Sequence, residues 1–367
     1  METKNLIVTL LSDQTIPNVQ FIKDKQNKDT FFLFVTTTAM EKKEVRTWIQ
    51  KVCKIPEDKV YVTNVDQFSI VDIESKLNEI DYDEYDKIYV NVTGGTKIMS
   101  HAATDFFKEL GAEIYYLTGA NKVIQVYPKK KQSERVILNE VTLDEYLESY
   151  GFNIREGRLS GIPFEYTSIF LKLFVNLHDS ERRILNELRS KRDKRVEIKG
   201  VSGLQDFICN IKFPVSDKDF FYLNKNEVKY LTGDWLEEYV YYRIKNELCI
   251  KNENIKTGVI LDKNGVSNEF DVIFLLNGNL YIVECKTSIV NKMTENMNIL
   301  NETIYKATAL QKNLGLHSKF SIFTLSTKND EVKELHLDRG RLFNINIICR
   351  QEILECDNLT QFFLSIS

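Results

Sequence analysis

Asn268-Glu-Phe-Asp271-Val-Ile-Phe-Leu-Leu-Asn-Gly-Asn-Leu-Tyr-Ile-Val-Glu284-Cys-Lys286 reads as two apolar strands joined by a turn. Residues 269–276 and 280–286 are rich in Val, Ile, Phe and Tyr, and Asn277-Gly278 is the dipeptide a tight two-residue hairpin favours. The two strands should therefore pair antiparallel. Side chains alternate across a sheet, so Glu284 and Lys286 leave the same face and Asp271 comes alongside them from the paired strand. These charges interrupt runs that are otherwise apolar, where an unpaired ion would be costly.

Two carboxylates and an ammonium in one place suit metal-assisted phosphodiester hydrolysis. Hard oxygens hold Mg²⁺ or Mn²⁺, the metal polarises the phosphoryl oxygen and activates water, and a lysine orients that water or offsets developing charge. A third carboxylate is available upstream. In Gly233–Leu248 the apolar positions 235, 236, 239, 240, 244 and 248 recur at helical spacing. At about 100° per residue Glu237 falls at the margin of the apolar stripe and Glu238 nearly opposite it. Glu237 is thus expected inward and Glu238 in solvent, with a pairing of Glu237 to the nearby Arg243 or Lys245 as the simpler alternative. The candidate catalytic set is Glu237, Asp271, Glu284 and Lys286, with the three carboxylates as metal ligands.

A helix glutamate followed by D…(D/E)-x-K on consecutive strands resembles the PD-(D/E)xK restriction-endonuclease-like superfamily, with Phe270 where the motif name has proline. The resemblance implies a C-terminal α/β nuclease domain. It also draws in Tyr305, Lys306 and Gln311 on the helix over residues 301–311, as candidates to touch the scissile phosphate.

The N-terminal half alternates strand and helix. Residues 6–11, 31–35 and 88–92 read as parallel strands, and 114–117 and 123–127 as further strands. In such sheets ligands settle at the carboxyl ends of the strands, where the polar turns Ser12–Asn18, Thr36–Thr38 and Thr93–Lys97 fall. In Thr93-Gly94-Gly95-Thr96-Lys97 the glycines let backbone N–H groups approach a phosphate, the helix start adds its positive end, and Lys97 adds a counter-charge. A tight turn capped by Thr93 is the simpler alternative. Thr15-Ile16-Pro17-Asn18 and Asn91–Ser100 together resemble the CARF domain, the Rossmann-like sensor of cyclic oligoadenylates in CRISPR systems. With the second half, the whole chain resembles the CARF plus PD-(D/E)xK effector nucleases of type III CRISPR systems.

That resemblance implies a homodimer that binds a cyclic oligoadenylate, cyclic tetra-adenylate above others, through Gln14, Thr15, Ile16, Pro17, Asn18, Thr37, Asn91, Thr93, Gly94, Gly95, Thr96 and Lys97. Binding would activate cutting of single-stranded DNA and RNA and nicking of duplex DNA. The expected division is a sensor over 1–150, a connector over 151–229 that opens on a linker at 151–163, and a nuclease over 230–367. Two other functions fit parts of the chain. One is a ligand-responsive regulator without catalysis, the other a restriction or repair endonuclease that needs no activator.

Composition adds bounds. A chain of 367 residues with 43% hydrophobic content suffices for two cores, and a net charge of −4 carries no global nucleic-acid signal. Local basic runs occur at Lys129–Lys131 and Lys191–Arg195, either of which could touch a phosphate backbone. Six scattered cysteines without a C-x-x-C pair predict free thiols in a reducing cytoplasm. No signal peptide or long apolar span is read, so the protein is expected to be cytoplasmic. The histidines at 101, 178, 317 and 336 lack metal-ligand spacing, and only His101, one turn beyond Lys97, could approach a bound ligand.

Overall fold

The structure, a computed structural model, describes residues 4–119, 121–130, 133–137, 140–155, 157, 159–288, 299–311, 313–316, 318–329, 331–356 and 358–364. Lys131, His317, and Glu156 and Arg158 of the expected linker lie outside these. Seven strands build the first sheet: β1 (Asn5–Leu10), β2 (Thr30–Thr36), β3 (Val60–Asn64), β4 (Lys87–Asn91), β5 (Glu113–Gly119), β6 (Lys122–Tyr127) and β7 (Glu134–Val136). Their order is β3-β2-β1-β4-β5-β6-β7. The strands from β3 to β5 run parallel, and β6 and β7 continue antiparallel. Connections leave β1 toward β2 on one side and reach β4 on the other, so a switch point lies between β1 and β4. β1 is buried along its whole length, as its apolar run requires.

The strand β8 (Asn153–Arg155) and the small antiparallel pair β9 (Val196–Glu197) and β10 (Tyr222–Leu223) precede the second sheet. That sheet adds β11 (Ile255–Lys263), β12 (Val266–Leu276), β13 (Asn279–Lys286), β14 (Ser318–Thr324) and β15 (Ile345–Ile348), in the order β15-β14-β13-β12-β11-β8. β12 and β13 pair antiparallel, and β13, β14 and β15 run parallel. The turn between β12 and β13 places Asn277 at φ 51° and Gly278 at φ 77°, the left-handed pair a mirror-image turn demands.

Two expectations about residues 151–229 differ from what is found. The stretch expected to be a linker supplies β8, which pairs with β11 at the edge of the second sheet. The helices Phe164–Val175 and Asp179–Arg189 share one apolar core with the helix Trp235–Glu247, so the segment is not a free-standing connector. Phe170 meets Trp235 edge-on at 5.2 Å between ring centroids. Aromatic burial of this kind holds the segment to that helix. A second cluster runs from Ile16, Tyr146 and Leu147 to Phe270, Ile304 and Leu314, and joins the two halves of the chain.

Candidate functional site

Asp271 lies where β12 leaves its pairing with β13. The last paired residues are Val272 and Val283. Beyond them the Asp271 carboxylate replaces the backbone ladder, its Oδ2 accepting from the Cys285 N–H at 2.6 Å. On the other side Gly258, at φ 59°, falls between the pairs Thr257–Val272 and Val259–Phe270, and the Thr257 hydroxyl donates to the Asp271 carbonyl at 2.8 Å. β13 thus holds the carboxylate, and β11 holds the backbone that carries it.

Lys286 Nζ donates to Asp271 Oδ2 at 3.2 Å and to Glu284 Oε2 at 3.0 Å. Glu284 is 4% exposed, and its Oε1 lies 3.5 Å from Lys306 Nζ. Glu237 stands in the first turn of the helix Trp235–Glu247, which directly follows a widened turn at Tyr230–Asp234. It faces a cavity of about 250 Å³ together with Glu269, Asp271, Lys286, Arg189 and Arg192.

Electrostatics mark this cavity. Burial, with the charge of Glu284 next, pushes the Asp271 carboxyl up to about 6. Burial, with Asp271 next, holds Glu237 well above the usual carboxylate range. Burial acts against the Lys286 ammonium, yet Asp271 and Glu284 together keep it above its ordinary value. Burial is the larger cause for both carboxylates, and repulsion from their acidic neighbours adds a smaller surplus of negative charge. The all-oxygen donor set is that of a hard divalent cation, which would relieve the surplus. Among the described residues no group of three or more His, Cys, Asp or Glu is arranged to hold a metal ion. Glu237 and Asp271 share the cavity, while Glu284 is engaged by Lys286 and Lys306.

The second candidate site lies at the switch point of the first sheet. Thr93–Lys97, Ser100, His101 and Tyr116 line a cleft of about 500 Å³. A Cβ on Gly94 would lie 2.1 Å from the Leu10 carbonyl oxygen, and Gly95 has φ 73°. Glycine is required at both positions. Lys97 is exposed, without an ion-pair partner among the described residues. Thr37 and Asn64 to Gln67 line a neighbouring cleft at the ends of β2 and β3.

Family models match both halves of the chain: the Card1 CARF domain over residues 6–146 and the Card1-like endonuclease domain over residues 224–363. This chain is a Card1-type CARF protein with a Card1-like endonuclease domain. Solved structures of the same fold include Can2 from Sulfobacillus thermosulfidooxidans in complex with cyclic tetra-adenylate, at 21% identity and TM-score 0.72, covering 99% of this chain and 98% of that one. Protein VC1899 from Vibrio cholerae aligns at 16% identity and TM-score 0.75 over 99% of this chain and 98% of its own. A type III CRISPR defence DNA nuclease activated by cyclic oligoadenylate matches at 16% identity and TM-score 0.54, over 87% of this chain and 45% of its own. No curated protein matches by sequence.

Within the CARF domain many of the expected ligand residues have their side chains turned to internal duties. Asn91 Nδ2 donates to Asn18 Oδ1 at 2.8 Å, Asn91 Oδ1 accepts from the Thr93 hydroxyl at 2.6 Å, and Asn18 Nδ2 donates to the Leu10 carbonyl at 3.0 Å. This buried chain locks the loops after β1 and β4 together. The Thr15 hydroxyl pairs with that of Ser149 at 2.8 Å, and Ile16 is buried. Pro17 stands in the first turn of the helix Ile16–Lys25, and Thr37 caps Thr38–Lys42. The cap of the helix Lys97–Glu109 is Thr96, which accepts from the Met99 N–H, rather than Thr93. Gln14 points toward the endonuclease half, and His101 pairs with Asp105 at 3.1 Å. The Ser100 hydroxyl donates to the Val92 carbonyl at 3.0 Å, so what the Gly-rich turn offers a ligand is backbone and Lys97.

In the endonuclease domain the expectation for Glu238 is corrected: it is 4% exposed, not in solvent. Its Oε1 accepts from the Ser160 N–H at 2.6 Å and its Oε2 from the Ser160 hydroxyl at 2.8 Å. The helix has a second packing partner in residues 160–175, which covers the face that the wheel assigns to water. Arg243 pairs with Glu247 and Tyr239, leaving Glu237 to the cavity. Of the residues on the following helix, Lys306 reaches Glu284, Gln311 donates to the Ser318 carbonyl, and Tyr305 is exposed. Arg189 and Arg192 were missed as cavity residues. The basic run at Lys191–Arg195 contains Arg192, while Arg189 lies outside it. The six cysteines are free, and among the described residues no helix is long and apolar enough to cross a membrane.

Proposed function

We propose that this protein is a metal-dependent nuclease switched on by a cyclic oligoadenylate, with cyclic tetra-adenylate as activator, Mn²⁺ or Mg²⁺ as the metal and a homodimer as the working unit. The observation that carries the reading is the cavity in which Glu237 and Asp271 are crowded beside Lys286, in the same chain as a glycine-lined cleft beside Lys97. Glu237 and Asp271 would hold the ion, with Glu284 joining them from its lysine pair. A bound divalent ion would polarise the scissile phosphoryl oxygen and activate water. Lys286, kept charged by its two carboxylates, would offset negative charge developing on the phosphate.

The activator's identity is suggested by Can2, which holds cyclic tetra-adenylate. A two-fold symmetric ring suits a two-fold pair of clefts, each protomer holding half. Phe68 at 70% and Val71 at 77% exposure stand beside the cleft rim at Asp66 and Gln67, an apolar surface that a second copy would cover. As substrates we propose single-stranded DNA and RNA, with nicking of duplex DNA and weak sequence preference. No aromatic ring is found among the described residues lining the catalytic cavity, so backbone charge rather than base reading would govern binding.

Incubating the protein with labelled DNA and RNA, with and without cyclic tetra-adenylate and Mn²⁺, tests this directly. Cutting is expected only when both are present. Full activity without the ring would remove the switch, and no cutting under any condition would remove the nuclease reading.

A further inference from the structure

The catalytic cavity has a third wall that the helix glutamate and the hairpin do not supply. It comes from the end of the helix Asp179–Arg189 and the turn after it, where Arg189 and Arg192 face the cavity. Arg192 forms an ion pair with Asp234, and the lack of a side chain at Gly233 makes room for its guanidinium, whose Nη1 would lie 3.4 Å from a Cβ there. Arg189 has no carboxylate partner among the described residues. Its Nη2 donates to the Thr232 carbonyl at 3.0 Å and to the Thr287 hydroxyl at 3.3 Å. Thr232 precedes the helix that carries Glu237, and Thr287 follows Lys286. The guanidinium therefore spans the mouth of the cavity from one catalytic element to the other.

A plain structural strap would need only the one nitrogen that makes both bonds. A residue in the last helical turn would also gain from the helix dipole, whatever lay in front of it. Neither explains why a cation with unused donors is aimed at a cavity shared with Lys286. A guanidinium fork matches the oxygens of a phosphate in a way few other groups do. We propose that Arg189, flanked by Arg192, grips the backbone phosphate next to the one being cut and so positions a nucleic-acid strand across the cavity mouth. The role rests on the nuclease reading above and adds to it the residues that hold the strand. Contacts to phosphate carry no sequence information, which agrees with weak base preference.

The test uses the full-length protein with cyclic tetra-adenylate, EDTA and fluorescein-labelled oligodeoxythymidylate or oligouridylate, titrated by anisotropy over a range of salt. For Arg189→Gln the binding slope against log salt should shrink by about 0.7 on a single strand, with affinity about fivefold weaker near 0.1 M salt. Arg189→Lys keeps the charge and should restore the slope. Thr287→Val removes a tether without touching charge and should leave the slope as in wild type. In the reaction with Mn²⁺ and cyclic tetra-adenylate Arg189→Gln should raise KM with kcat largely kept. An unchanged slope and affinity in Arg189→Gln would overturn the grip, as would a slope lost equally in Thr287→Val. A difference between the DNA and RNA arms would say which strand is held. If wild type binds and cuts neither, the nuclease reading fails and the grip with it, a result distinct from wild-type cutting with an indifferent Arg189→Gln.

Discussion

Gln14 and Leu316 are 302 residues apart in the chain, and the Gln14 side-chain oxygen accepts a hydrogen bond from the Leu316 N–H at 3.0 Å. The same oxygen accepts from the Tyr150 hydroxyl at 3.2 Å. Gln14 stands on the loop after β1, at the switch point of the CARF sheet. Leu316 stands between the helix Ile299–Gln311, which carries Lys306, and β14, which pairs with β13 along Glu284 and Lys286. Tyr146 secures the same loop by donating to the Leu314 carbonyl at 2.9 Å, and a Cβ on Gly315 would lie 2.4 Å from the Tyr150 hydroxyl oxygen. If the proposed activator shifts the β1 loop, this contact would carry the shift to the elements that flank the proposed catalytic cavity.

Gln14→Ala removes both bonds. Each neutral hydrogen bond contributes about 1 kcal/mol, so losing the pair should lower the ratio of cleavage rates with and without cyclic tetra-adenylate by up to about thirtyfold. Initial rates on a labelled oligonucleotide measure that ratio. An unchanged ratio would show the contact to be passive.

Asp271→Asn keeps an oxygen able to accept from the Cys285 N–H but loses the charge. Cleavage should fall on the order of 10³-fold or more, while cyclic tetra-adenylate binding and the melting temperature stay close to wild type. Calorimetry for the ring and a gel assay for cutting separate the two effects. Near-normal cleavage would remove Asp271 from the chemistry.

Gly94→Ala and Lys97→Ala should fail differently. A Cβ at 2.1 Å from the Leu10 carbonyl forces β1 and the Gly-rich turn apart, so the first substitution should lower Tm by several degrees as well as weaken the ring. Lys97 is exposed, so its loss should leave Tm unchanged and weaken binding alone. Thermal melts and calorimetry on both variants check this. Equal Tm for Gly94→Ala and wild type would mean the turn yields more easily than its contacts indicate.

The hairpin of β12 and β13 was legible because Asn277-Gly278 specifies a turn by itself, and the period of two then fixes which face each charge takes. The same dipeptide signal at Asn264-Gly265, both with positive φ, joins β11 to β12 and was passed over. β3 was not read at all: it lies at the sheet edge with Tyr61 and Val62 exposed, so its sequence lacks the apolar run of β1. Long-range packing was the larger gap. Glu238 was placed in water because a helical wheel knows only its own residues, and Ser160 lies 78 positions earlier. Arg189 is invisible for the same reason, since its relation to Thr287 exists only once the core around Phe170 and Trp235 has formed. In the CARF half the motif residues were found, but Asn18, Asn91 and Thr93 turn out to shape the loops with one another.

Glu238 also gives a prediction about pH. Its carboxyl is raised by burial, which the two bonds from Ser160 only partly offset. An acid with a raised folded pKa contributes stability that is fully present below its unfolded value, near 4.3, and is lost as pH rises through the folded value. Glu238→Gln preserves the shape, can accept from the Ser160 N–H with its oxygen and donate to the hydroxyl with its amide, and has no charge to bury. Relative to wild type the variant should therefore gain stability as pH rises above about 4 and level off once pH has passed the raised folded value, while other titrating groups cancel in the comparison. Melting curves of both proteins across that range measure the difference. A variant that instead loses ground as pH rises would mean that the ionised carboxylate is the favoured form in this pocket, and that its bonds to Ser160 outweigh burial.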